Sequence, residues 1–183
     1  MKYLYFPPAL MLAFLSLVFL ATGAANAVPP NPEPAASIHE QGMKLAGEGK
    51  PVQAAKVFLD AAEQGNRHSQ YQLGLLYARG EGVEQDFSLA HKWLHKAAMQ
   101  GHPKAQYYLG QMYVNGDGVA EDHVEATVWF WLAASLGDRF AITRWRIIMT
   151  RITKQDMIEV NKRSNDLWKK IPHDMKKKSS LMH

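Results

Sequence analysis

Apolar residues recur at steps of three and four through the middle of the chain. In FSLAHKWLHKAAM, residues 87–99, the pairs Leu89-Ala90, Trp93-Leu94 and Ala97-Ala98 share one face of a helix. A partner helix is predicted over 67–79, followed by Gly80 and Gly82 where the chain must turn. Asp86 stands as an N-cap before Phe87, and Asp122 followed by Glu125 reads as a capping box at the next equivalent start. Further boxes predict a first helix from Ser37-Ile38-His39-Glu40 to about Gly47, and a last one from Thr153-Lys154-Gln155-Asp156 to about Lys169. Asp138 caps a helix through Met149, and Pro172 is expected to end regular structure. No segment carries the period-two alternation of a strand.

The pattern repeats. Ser69–Lys104 and Ala105–Phe140 align without a gap at a spacing of thirty-six residues: Leu73-Gly74 on Leu109-Gly110, Tyr77 on Tyr113, Val83 on Val119, Trp93 on Trp129. Upstream, Ala54, Ala61-Ala62 and Gly65 keep the phase for half a unit, after a linker about four residues shorter. A unit of this size cannot bury its apolar face alone, so it stacks on its neighbours. The expected fold is all-α, a right-handed α/α solenoid with units at about 37–68, 69–104 and 105–140 and terminal helices over 141–170. Gly74, Gly110 and the alanine pairs let helices approach, while Trp93 and Trp129 supply bulk.

In the unit 105–140, AQYYLGQMYVNGDGV, the start Glu121-Asp122 and the positions Ala126, Trp129, Ala133-Ala134 and Gly137 together resemble a Sel1-like repeat, the longer-period relative of the tetratricopeptide repeat. The preceding unit matches apart from Ser69 in place of the leading alanine. The segment 141–169, with Arg144, Arg146, the Thr153 box and Trp168, is similar to the helical ending of exported bacterial members. The resemblance implies a curved scaffold that holds proteins or peptides, in envelope signalling, envelope maintenance or host contact. It implies structural rather than catalytic roles for the shared residues.

Composition then bears on location and chemistry. Lys2, the apolar run Ala9–Ala21 and Ala25-Asn26-Ala27 have the layout of a signal peptide over 1–27, cleaved after Ala27. An uncleaved anchor is the alternative, although the 13-residue apolar run falls short of the roughly 20 needed to span a bilayer. Residues 28–36 read as a Pro-rich linker and 171–183 as a basic flexible tail. Absence of cysteine excludes disulfides and thiolate chemistry. Residues 28–140 carry 9 Lys/Arg against 13 Asp/Glu, whereas 141–183 carry 11 against 4. The basic end, with Lys162, Arg163, Lys169, Lys170 and Lys176–Lys178, reads as a solvated terminus or as a contact for anionic phospholipid or an acidic partner. Nucleic acid is not expected as a partner after export.

In stacked hairpins the first (A) helices line the concave side, and positions that differ between units are the informative ones. Gln72, Leu75 and Arg79 form one stripe, with Tyr108, Gln111 and Asn115 as counterparts. This mixture suits the gripping of an extended peptide; an ordinary solvated face is the alternative. Trp131, two residues after Trp129, is either packed on the terminal helix or exposed to a partner. Trp145 and Trp168 read as core residues closing the last unit. His91 and His95 have the i, i+4 spacing of metal ligands but no third ligand, and read as surface histidines. No nucleophile elbow and no phosphate loop is present. The expectation is a periplasmic, non-catalytic scaffold for a protein or peptide, without cofactor or metal. A structural envelope component bound to membrane or cell wall, or a secreted host-contact protein, is the alternative.

Overall fold

A computed structural model describes residues 32–180, with side chains over 35–176. The expected signal peptide, the start of the Pro-rich linker and the last three residues lie outside the described residues. The helices are α1 Pro32–Gly47, α2 Pro51–Glu63, α3 Arg67–Arg79, α4 Phe87–Met99, α5 Pro103–Asn115, α6 His123–Ser135, α7 Arg139–Ile148, α8 Lys154–Lys170 and α9 His173–Ser180, with a 3₁₀ turn at Met149–Arg151. No strand occurs among the described residues. α1/α2, α3/α4 and α5/α6 are hairpins stacked in chain order, and α7 continues the row of A helices.

The starts and turns are local chemistry. The side chains of Asn66, Asp86, His102, Asp122 and Asp138 each accept a backbone N–H from the first turn they precede. Asp86 N–H and Asp122 N–H donate to Tyr77 O and Tyr113 O at 3.0 and 2.9 Å, closing the two long turns identically. Gly82 and Gly118 sit in those turns where a Cβ would strike the backbone of Pro51 and of Phe87, the first residues of α2 and α4. The glycines therefore let each unit's turn lie on the helix start of the unit before it.

Helices within a hairpin meet through another glycine series. A Cβ on Gly42, Gly74 or Gly110 would lie 2.6, 2.7 or 2.6 Å from Phe58, Leu94 or Phe130 of the following helix. Around these contacts, Leu73 and Trp93 join Phe58 in one buried cluster; Leu109 and Trp129 join Leu94 and Leu132 in the next. Tyr77 packs against both, so the core is continuous along the stack. Two buried amides stitch the units: Gln70 Nε2 donates to Ala62 O and Gln106 Nε2 to Ala98 O, each at 3.0 Å.

The series ends at position 146, where the residue is arginine. Arg146 on α7 and Asp166 on α8 occupy the places that Gly110 and Phe130 hold one period earlier. With glycine and its large apolar partner both replaced by charges, α8 does not seat on α7. It packs instead against α6, through Val160 in the main core and Trp168 edge-on to Trp131 at 5.8 Å. Its start is a reciprocal Thr153–Asp156 capping box. Arg163 holds it in place, donating to Glu125 Oε2 at 2.9 Å and Glu159 Oε1 at 2.7 Å.

Four expectations need correction. α1 begins at Pro32, not at Ser37, so part of the expected linker is helical: proline is tolerated in a first turn, and Ala35 is buried with its carbonyl accepting from Asn66 Nδ2 at 3.2 Å. Regular structure does not stop at Pro172, because α9 follows and buries Ile171 and Met175 against Leu136. Arg67 also donates to Met175 Sδ at 2.9 Å, so the basic tail is docked at this point rather than free. Glu125 completes no capping box with Asp122, since its carboxylate is taken by Arg163. Trp145 and Trp168 are only half-buried, because the last unit stays open between α7 and α8.

Candidate functional site

The A helices align side by side, and two recesses open on the face they carry. The first, about 460 Å³, is lined by His39 and Met43 of α1, Tyr71 and Gln72 of α3, His102 at the start of α5, and Asp138 before α7. Tyr71 stacks on His102 with ring centroids 4.5 Å apart, and His68 meets His102 edge-on at 5.1 Å. His102 Nδ1 accepts the N–H of Ala105, which fixes the neutral tautomer needed for capping. Burial, reinforced by His68, Arg67 and Lys104, pushes the His102 imidazolium down to about 3. Burial also raises the Tyr71 hydroxyl to about 12, with Tyr108 nearby adding to the effect. Both rings therefore stay neutral hydrogen-bonding groups at ordinary pH.

The second recess, about 230 Å³, lies between the C-terminal halves of α5 and α7. Phe130, Val114, Ile147 and Ile148 give it apolar walls, while Gln111, Asn115, Arg144 and Arg151 supply the polar groups. Gln111 Nε2 donates to Tyr107 Oη at 2.8 Å, and Asn115 Nδ2 to Asp117 Oδ2 at 3.0 Å.

The expected stripe is thus partly assembled. Gln72 belongs to the first recess, where its Nε2 lies 3.2 Å from Met43 Sδ; Gln111 and Asn115 belong to the second. Tyr108 is half-buried between Tyr107 and Tyr71, at centroid distances of 5.5 and 6.0 Å. Arg79 is exposed beside Glu81 at 3.6 Å. Leu75 is a correction: it is only 7% exposed, turned into the interior, and offers a ligand almost nothing. Trp131 is on neither recess. It packs on Trp168 and lines a separate cleft with Trp145, Ile142 and Arg146. The two histidines of α4 are half-buried rather than superficial: His91 Nε2 is 3.3 Å from Tyr113 Oη, and His95 lies edge-on to Trp129. Burial lowers both their pKa values; the charge of His95 adds to the lowering at His91, and Glu125 opposes it at His95. No group of three or more potential ligands for a metal ion occurs among the described residues.

Sequence reasoning missed the continuation of the stripe. One further period carries Tyr108, Gln111 and Asn115 to Arg144, Ile147 and Arg151. The signal was available as spacing alone, but the unit's glycine and tryptophan landmarks stop at residue 140.

The Sel1 repeat family model matches residues 67–102 and 103–138. The crystal structure of a Sel1 repeat protein from Oxalobacter formigenes is similar at 37% sequence identity, with a TM-score of 0.57 over 61% of this chain and 87% of that one. The chain belongs to the Sel1-repeat family. A second Sel1-like structure, a protective antigen present in uropathogenic Escherichia coli strains and displaying an SLR fold, is 27% identical. Its TM-score is 0.74 over 81% of this chain, which spans only 33% of the antigen's length. A comparison with curated proteins finds no match. Sel1 and tetratricopeptide-like repeats generally act as protein–protein interaction scaffolds. The two matched Sel1 repeats begin two residues before the frame read from the sequence, at the first residues of α3 and α5. After α1, α3 and α5, α7 is a fourth A helix that retains the variable stripe while losing the glycine seat for its own B helix.

Proposed function

We propose that this Sel1-repeat protein is an exported, non-catalytic scaffold of the bacterial envelope that captures a segment of another protein along its A-helix face. The observation that carries this reading is the placement of non-repeating residues at the two recesses: Gln72 in the first, Gln111, Asn115, Arg144 and Arg151 in the second, with Tyr108 beside Tyr71 of the first. Neutral rings and amides beside apolar walls match the alternating needs of a peptide, whose backbone requires hydrogen bonds and whose side chains require pockets. A binding role also fits the commitments of these groups: His102 Nδ1 caps α5, and the Tyr107 hydroxyl accepts from Gln111.

Export rests on the signal-like residues 1–27, and the antigenic character of one structural relative favours a place outside the cytoplasm. Fractionation and N-terminal mass analysis of the native protein should find a periplasmic chain starting at Val28. The scaffold reading is tested with a photo-crosslinking residue placed at Gln72, at Gln111 or at Ile158, an exposed position on α8. One common protein adduct is expected from the first two sites and none from the third. Equal adducts at all three, or none at any, would remove the A-helix face as the capture surface.

A further inference from the structure

Arg144 and Arg151 are both exposed, and neither forms an ion pair among the described residues. Arg151 Nη1 lies 3.3 Å from His123 Nε2, and the other nitrogen of that ring is 3.6 Å from Glu121 Oε1. No acidic residue occurs between Arg139 and Ile152. Arg163 has two carboxylate partners and Arg79 has one, but Arg146 has none either among the described residues; what distinguishes Arg144 and Arg151 is that they line the same recess. The two guanidiniums flank a recess whose floor is apolar and whose rim adds the amides of Gln111 and Asn115. At about 230 Å³ it is smaller than the ~300–1,000 Å³ of small-molecule sites, a size for a side chain or two.

Resting on the scaffold reading above, we propose that this recess selects the partner: it takes an acidic, extended segment in which two carboxylates flank an apolar side chain. Arg144 and Arg151 are seven residues apart, on the order of 11 Å along the helix and its 3₁₀ end. In a polyproline II segment, residues three apart point the same way and stand about 9 Å from each other. Two acids at that spacing reach one guanidinium each, with the intervening side chain over Ile147 and Phe130. Arginine forms paired hydrogen bonds with a carboxylate, which gives geometric selection as well as charge. A membrane surface would not enter the hollow between α5 and α7, whereas an apolar side chain carried between two acids fills it. The shape of the recess therefore favours a peptide.

The test uses the mature chain and a fluorescein-labelled peptide, Gly-Ser-Asp-Leu-Pro-Glu-Ser-Gly, with its Asn/Gln analogue and with vesicles of equimolar phosphatidylglycerol and phosphatidylcholine. The acidic peptide should bind and the amide analogue should not, and added salt should weaken binding. Arg144→Gln and Arg151→Gln should each reduce affinity about tenfold, or ~1.4 kcal/mol. Arg146→Gln, on the other cleft of α7, should leave it unchanged. Equal binding of both peptides, binding of neither, or an effect of Arg146→Gln as large as the others would overturn the proposal. Vesicle flotation that depends on Arg144 and Arg151 without peptide binding would overturn it too, and would make the recess a headgroup site. Crosslinking of a partner from Gln72 and Gln111 that survives Arg144→Gln/Arg151→Gln would sink the acidic segment while the scaffold stands. Loss of the adducts themselves in the parent would sink both.

Discussion

Replacing Gly110 with alanine sets two effects of known size against each other. In an isolated helix interior the change is favourable by about 0.8–1.0 kcal/mol, because alanine restricts the unfolded chain. In this protein the new methyl would lie 2.6 Å from both Cδ1 and Cε1 of Phe130 and 3.0 Å from Cγ. Carbon atoms prefer about 3.5–4.0 Å, so α5 and α6 must separate by roughly 1 Å or the ring must turn. Phe130 is only 1% exposed, and although its ring also borders the second recess, turning it there would disturb its packing on Ala126 and Ile148. Overpacking of this kind costs about 1–3 kcal/mol, and contact with two atoms of a rigid ring belongs at the upper end. The expected net loss is therefore about 2 kcal/mol. Gly47→Ala is the internal control, since nothing lies within 4 Å of a Cβ there; it should be neutral or stabilising by a few tenths to about 1 kcal/mol. Urea unfolding followed by circular dichroism and by tryptophan fluorescence measures both. In a Phe130→Leu background, the penalty at 110 should shrink, which a double-mutant cycle reads directly. A Gly110→Ala protein as stable as the parent would refute the close-approach reasoning for the whole glycine series.

Other consequences follow from the buried polar groups and the docked end. His102 has a folded pKa of about 3, below the ordinary 6.5, so the unfolded chain takes up its proton first on acidification. Its contribution to stability is present above pH ~6.5 and lost as pH falls towards 3, with a slope approaching 1.4 kcal/mol per pH unit; His102→Asn, which keeps a capping acceptor, should flatten that slope in unfolding measured across pH. Gln106→Leu removes the side-chain donor to the Ala98 carbonyl, which keeps the Gly101 N–H, and should cost about 0.5–1.5 kcal/mol in the same unfolding assay. Ile171→Ala removes a side chain that is 2% exposed, with an expected loss of about 2 kcal/mol. Faster hydrogen exchange in α9 and at the end of α8, with the hairpin cores unchanged, would locate that loss.

Much of this fold was legible because its information is local and repeated. The bounds of α3 and α4 coincide with those read from periodicity, and Asp86, Asp138 and Thr153 cap where capping chemistry placed them. The candidate site was legible only as spacing. Gln72, Gln111 and Asn115 do reach the recesses, but Leu75 shares their helical stripe and turns inward, since a three-residue step also leads towards the core edge. Ser37 and Glu40 have the right residue types for a helix start, yet α1 runs through them because Ala35 is held by Asn66 of the next unit.

The chain's own order of residues determined the hairpin, its caps, its turns and the stacking of one unit on the next, because each depends on groups a few residues apart or on one recurring period. What only the tertiary structure decided is how the stack ends. Arg146 and Asp166 withdraw the seat for a fourth hairpin, but the new position of α8 depends on Trp131, Val160 and Glu125, brought together from distant parts of the chain. That displacement keeps α8 off α7, while the recess shared by α5 and α7 brings two arginines and two amides together. Burial and accessibility are properties of the whole packed surface, and no spacing along the chain contains them.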